Sequence, residues 1–227
     1  MQQRVDEILA DIEASSKKVP VDIAERRGPF VLFNGNGTKA PLFWCFNNWA
    51  EAAFLSRRLG PEQPLVAMHS FHNIVKDAQT KLASVRLVAM TYAELMQPWM
   101  DGRPVVIGGN CQAAPIAEAI AHRLTYSAQE QALLIVLEHN PFYGYPGNIL
   151  MLFGEQSEQF NPFVRGEDPV PGWNKLHHRP SWGFINAGHG KYFVEPGVDT
   201  LTNFITRASE DFRSTGRIPT GATDIMV

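Results

Sequence analysis

Two distant segments of the 227-residue chain carry residue types that nucleophilic catalysis requires. In the first, "VVIGGNCQAAPIAEAIAHRL" (105–124), β-forming residues run into Gly108 and Gly109, then Asn110 and Cys111, then an alanine-rich helical stretch. Gly109 two residues before the cysteine and Ala113 two after give G-x-C-x-A, a cysteine form of the G-x-S-x-G nucleophile elbow. In an open α/β sheet such a corner faces ligands held beyond the carboxyl ends of the strands. A helix N-terminus there stabilises a thiolate, which would lower the thiol pKa from ~8.5. The Gln112 N–H would face the oxyanion formed on an attacked carbonyl. The plain alternative is that Cys111 is a small buried hydrophobe, the commonest fate of a free cysteine.

A cysteine nucleophile needs an imidazole, and the imidazole needs a carboxylate to fix its tautomer. Downstream of Cys111 stand His122, His139, His177, His178 and His189. His122 falls in the helix after the elbow, too close in sequence to fold back, and reads as a surface residue. His189 lies in "FINAGHGKYFVEPG", past the last strand and before the last helix, with glycines on both sides that let the loop curl. For the acid, Glu138 ends a strand in "LLIVLEHNPF", and a carboxylate finishing a buried apolar strand is costly unless something uses it. Glu155 and Glu158 follow the next strand, where most hydrolases of this type keep the acid, but Ser157 occupies the usual position. Glu138 is preferred, with Glu155 and Glu158 as alternatives and a salt bridge or helix cap as the non-catalytic role. The second oxyanion donor is expected from the loop after an early strand, at the backbone N–H of Asn47, with the side chain of Asn47 or Asn48 able to help. Cys45 lies inside that strand and reads as packing.

These groups need a scaffold, and the pattern supplies one. Short apolar strands at 30–34, 41–46, 64–71, 104–109, 132–138, 148–154 and 182–186 alternate with helical runs at 50–59, 85–100, 112–124 and 197–213. Continuous apolar strands imply burial by helices on both faces, and the alternation implies a doubly wound, mostly parallel sheet. Val5, Ile8, Leu9 and Ile12 mark an amphipathic helix over 3–15, followed by a linker or arm. The expected organisation is therefore 1–28 as helix and linker and 29–227 as the α/β domain. The stretch 155–181 reads as a long loop over the sheet edge.

Hydrophobic residues make up 44% of the chain and charged residues 19%, enough apolar character for a real core. The net charge of −3 with no basic stripe argues against nucleic acid, and no apolar run is long enough for a membrane span. Two cysteines are too few for a disulfide scaffold and lack metal-ligand spacing, so a cytoplasmic protein with free thiols and no metal is expected.

Taken together, these segments resemble the thioesterase domains of nonribosomal peptide and polyketide synthases, within the α/β-hydrolase superfamily. "APLFWCFNNWAEAAFLSRRLGPEQPLVAM" is similar to that family's opening strand, oxyanion loop, helix and next strand. "YAELMQPWMDGRPVVIGGNCQAAPIAEAIAHRL" is similar to its helix, strand and elbow, and "GHGKYFVEPGVDTLTNFI" to its histidine loop and closing helix. The likeness spans about residues 30–212. It implies an α/β-hydrolase fold, with Cys111 as nucleophile, His189 as base and Glu138 as acid, since this family typically places the acid after the strand that follows the elbow. It also implies an acyl thioester substrate on the phosphopantetheine arm of an acyl or peptidyl carrier protein, and no cofactor. The chain departs from the family in its cysteine, in Ala113, and in the near absence of a helical lid, because only "HNPFYGYPG" separates Glu138 from Asn148. Two other readings fit the residues: a non-catalytic docking module on a hydrolase fold, and a small ester or lactone hydrolase of the dienelactone hydrolase type.

Overall fold

The computed structural model describes residues 2–20, 23–100, 102–127, 131–141 and 143–223. The N-terminal helix α1 (Gln2–Ser16) leads into a hairpin of the polar β1 (Ala24–Arg27) and the apolar, buried β2 (Phe30–Phe33). Then come β3 (Leu42–Phe46), α2 (Trp49–Leu59), β4 (Leu65–His69), α3 (Ala78–Leu95), β5 (Val105–Asn110) and α4 (Ala114–Ser127). The chain closes with β6 (Ala132–Leu137), β7 (Asn148–Gly154), α5 (Val170–Leu176), β8 (Arg179–Ile185), α6 (Gly197–Thr215) and the short β9 (Gly221–Ala222).

The strands form one nine-stranded sheet in the order β1-β2-β4-β3-β5-β6-β7-β8-β9. The first two pairings are antiparallel, and every pairing from β4 and β3 to β9 is parallel. β3, β4, β5, β6 and β7 are buried at every residue, because helices cover both faces. On one face α1, α3 and α4 pack Ile8, Ile12, Val88, Tyr92, Ile116 and Ile120 onto the sheet. On the other, α2 and α6 contribute Ala52, Leu55, Leu201, Phe204 and Ile205.

Several boundaries differ from the sequence reading. The segment taken as a linker carries β1, whose side chains alternate between half-buried and exposed, as an edge strand allows. α1 buries Val5, Ile8 and Ile12 in the main core, each worth about 1.5–3 kcal/mol on burial, so it is an integral layer of the body. α3 starts at Ala78, where the Asp77 side chain accepts from the Thr80 N–H at 2.6 Å. It stops at Leu95 because Pro98 has no N–H to continue the ladder, and a 3₁₀ turn follows at Gln97–Trp99. The stretch 155–181 contains α5 and the start of β8. Between Glu138 and Gly147 the described residues form no helix, so the lid is reduced to a loop. No helix among the described residues is long and apolar enough to cross a membrane.

His69, at the end of β4, is 5% exposed and accepts from the Phe71 N–H through Nδ1 at 3.2 Å. Burial, reinforced by His72, lowers its pKa to about 4. The unfolded chain therefore takes up a proton at His69 near pH 6.5 that the folded chain refuses until about pH 4. Stability from this group is complete above pH 6.5 and is lost as pH falls through that window, by about 3 kcal/mol. Urea unfolding at pH 7 and pH 4.5 should show this loss, and His69→Asn, which keeps an acceptor, should flatten it. An unchanged pH slope in the variant would locate the loss elsewhere.

Candidate active site

β5 delivers Cys111 to the carboxyl edge of the sheet. Asn110 is still extended (φ −119°), and Cys111 turns sharply into the left-handed region at φ 49° before a 3₁₀ turn opens α4. A non-glycine residue held at positive φ is uncommon and marks a corner fixed by its surroundings. Gly109 makes the corner possible, since a Cβ there would stand 3.0 Å from the Ala113 carbonyl oxygen, Ala114 Cα and Ala117 Cβ. Cys111 is half-buried, whereas Cys45 is fully buried in β3.

The chain repeats the device one strand over. Glu138 follows β6 at φ 53°, with its N–H bonded to the Leu152 carbonyl at 2.8 Å, so its side chain is fixed where the strand ends. Its Oε2 is in direct contact with Nδ1 of His189, which arrives from the loop between β8 and α6. The carboxylate is fully buried in this pair and the imidazole is 47% exposed. Phe160, from the loop after β7, stacks on the His189 ring at 4.6 Å between centroids. Glu155 and Glu158 are exposed. Cys111 and His189 line one cavity of about 140 Å³, together with Asn47, Glu51 and Tyr192.

The thiol behaves differently from the expectation set by the helix dipole alone. Burial pushes its pKa up, the Gln112 N–H pulls it down, and the charges of Glu138 and Glu51 add to the rise. At rest Cys111 is a neutral thiol whose proton must be taken by a base, not a standing thiolate.

The Asn47 N–H, expected as an oxyanion donor, is engaged by Oε2 of Glu51 at 3.1 Å. Glu51 is the third residue of α2 and pairs with the N-cap in a side-chain variant of the capping box: Asn48 Oδ1 accepts from the Glu51 N–H at 3.1 Å, and Glu51 Oε1 accepts from Asn48 Nδ2 at 2.9 Å. Asn110 Nδ2 donates to the same carboxylate at 3.2 Å, and Asn47 Nδ2 donates to the Asn110 carbonyl at 3.1 Å. The loop after β3 and the strand-to-helix corner at Cys111 are thus tied together, with a carboxylate inside the cavity that burial holds above its ordinary pKa. Sequence reading missed Glu51, although the pattern "NNWAE" carries the capping-box signal. The α2 end of this assembly is anchored to α1 by the Trp49 indole N–H to Ser15 Oγ, 2.9 Å.

The remaining histidines lie elsewhere. His122, expected at the surface, is mostly buried, and stacks on Tyr126. His139 contacts Glu118 at 2.8 Å, His177 accepts from the Tyr145 N–H at 3.2 Å, and His178 is exposed. Among the described residues no group of three His, Cys, Asp or Glu side chains is placed to hold a metal ion.

No protein-family model and no curated protein sequence matches the chain. Solved structures do. The NocB thioesterase domain from the nocardicin cluster superposes with a TM-score of 0.62 at 14% identity, over 80% of this chain and 98% of that one. The fold is that of an α/β-hydrolase. YbtT, a type II thioesterase from the yersiniabactin NRPS/PKS pathway, gives a TM-score of 0.56 at 11% identity, over 78% and 94% of the two chains. The surfactin thioesterase domain SrfTE gives 0.52 at 12%, also over 78% and 94%. Within this fold Cys111 stands at the turn from β5 into α4, and His189 follows β8.

Proposed function

We propose that the protein is a thioesterase or acyltransferase that accepts an acyl group from a phosphopantetheine thioester on a carrier protein and passes it through an acyl-cysteine on Cys111. The observation that carries this reading is His189, in contact with the buried Glu138 carboxylate, lining one cavity with Cys111 at the strand-to-helix corner. Glu138 orients His189 through Nδ1, leaving Nε2 to take the thiol proton as Sγ attacks the thioester carbonyl. The developing oxyanion meets the Gln112 N–H, which already faces Sγ. Collapse breaks the bond to the pantetheine sulfur, and His189 returns its proton to that leaving thiol. A second nucleophile (water, an alcohol or an amine) is then deprotonated by His189 and attacks the acyl carbonyl; collapse breaks the bond to Cys111 Sγ, and His189 returns the proton to the departing thiol. Because the intermediate is itself a thioester, it keeps its reactivity toward amines, which favours transfer as well as hydrolysis. The second donor, the Asn47 N–H, becomes available when the Glu51 carboxylate gives it up. The cytoplasm is the compartment consistent with two free cysteines.

Two observations favour a second reading. The engaged Asn47 N–H and the raised thiol suit a hydrolase fold kept for docking alone. Mass spectrometry after incubation with acyl-pantetheine thioesters separates the two. An acyl adduct on Cys111 is expected. Its absence, or an adduct on Cys45 alone, would leave the docking reading. Rapid turnover of small free esters without turnover of thioesters would instead indicate a dienelactone-type hydrolase.

A further inference from the structure

His189 occupies only one oxygen of the acid, Glu138 Oε2. The other, Oε1, is buried without a hydrogen-bond partner among the described residues, and so are Tyr192 Oη and Ser157 Oγ. These three residues are 4%, 3% and 1% exposed. Leaving three such atoms unpaired is costly, and here their chemistries are complementary. A carboxylate oxygen only accepts, while the two hydroxyls both donate and accept.

Tyr192 and Ser157 both lie against Gly154 at the end of β7, two residues on from the Leu152 carbonyl that accepts from the Glu138 N–H. The Tyr192 phenol interacts with both Glu138 and Ser157, and also feels Cys111. The hydroxyl is wedged over the end of β7: a Cβ on Gly154 would meet Tyr192 Oη at 2.9 Å. Ser157 is held below it by its N–H bond to the Gly154 carbonyl, 3.1 Å. We infer that Tyr192 and Ser157 are positioning residues, the Tyr192 phenol donating to Glu138 Oε1 and the Ser157 hydroxyl donating to the phenol, so that the carboxylate is clamped from behind as it orients His189. Burial first, and then the Glu138 charge, push the Tyr192 phenol well above its ordinary pKa, so it keeps the proton it must donate. Ser157 thereby has a role at the site where a carboxylate usually stands.

The inference rests on the Glu138–His189 pair of the proposed function, but its test needs no substrate. In protein labelled at histidine, NMR follows the pH at which the His189 ring titrates. A carboxylate that loses a donor holds the imidazolium more strongly, so Tyr192→Phe should move that titration upward by about half a pH unit or more. Ser157→Ala should move it in the same direction by less, and each variant, having left a buried atom unpaired, should melt a few degrees below wild type while staying folded at the temperature of the titration. If Tyr192→Phe disturbs folding, the Ser157→Ala shift decides alone. A His189 titration unmoved in the folded variants would overturn the inference and leave Tyr192 as packing. If the titration moves while Cys111 takes up no acyl group, the clamp stands and the acyl-transfer reading falls.

Discussion

On the proposed acyl-cysteine route, Glu138→Gln should slow acylation of Cys111 by about 10³–10⁴-fold, a loss of about 4–5.5 kcal/mol in transition-state stabilisation. The carboxamide fills the same buried space, so the fold survives. What changes is the polarity of the contact with His189 Nδ1, which the carboxylate now accepts from. A Gln amide can present its NH₂ to Nδ1, and the ring then carries its proton on Nε2, where it cannot take one from a thiol. Glu155→Gln and Glu158→Gln, at exposed positions after β7, should stay within about twofold of wild type. Stopped-flow release of the pantetheine thiol measures all three. A large loss in either of the later variants, with Glu138→Gln near wild type, would move the acid and dismantle the site as drawn.

The parts of the site legible in the sequence are those set by residue type and topology together. An elbow cysteine after a glycine, a carboxylate ending an apolar strand, and a histidine between the last long strand and the last helix are each tied to a strand end. The fold fixes where those ends lie. The groups that escaped depend on what comes near from elsewhere in the chain. The effect of the Gln112 N–H on the thiol is local and readable, but the opposing burial and the charges of Glu138 and Glu51 are tertiary, and they win. The Asn47 N–H was readable as a donor, while its capture by Glu51 depends on how the first turn of α2 sits against the elbow. Among the elements, β1 has the polar sequence "AERR", and only pairing with β2 makes it a strand. α5 is a seven-residue helix containing proline and glycine, held by burial of Trp173 against Phe153 rather than by propensity.

The coupling between strand packing and site geometry is sharpest at Gly108, where the expected effect on stability is largest. Gly108 lies directly beside Trp44 in the parallel β3–β5 register, and a Cβ there would stand 2.3 Å from Cε3 and Cζ3 of the indole. Trp44 is 1% exposed and has no room to retreat without disturbing the face under α6. Gly108→Ala should therefore cost about 2–3 kcal/mol and lower the melting temperature by about 5–10 °C. The damage should reach the chemistry. The Trp44 indole N–H donates to Asn110 Oδ1 at 3.3 Å, and Asn110 in turn ties Glu51 and Asn47 to the elbow. Displacing the indole loosens that tie, so acylation should slow well below the unfolding temperature, beyond what the unfolded fraction explains. Trp44→Phe removes the ring atoms that collide and also removes the indole donor. In that background Gly108→Ala should cost at least about 1 kcal/mol less in stability, while the acylation defect of Trp44→Phe persists. Equal stability costs in both backgrounds would mean that the strain is relieved by the backbone instead, and that the indole acts on the elbow only through its hydrogen bond.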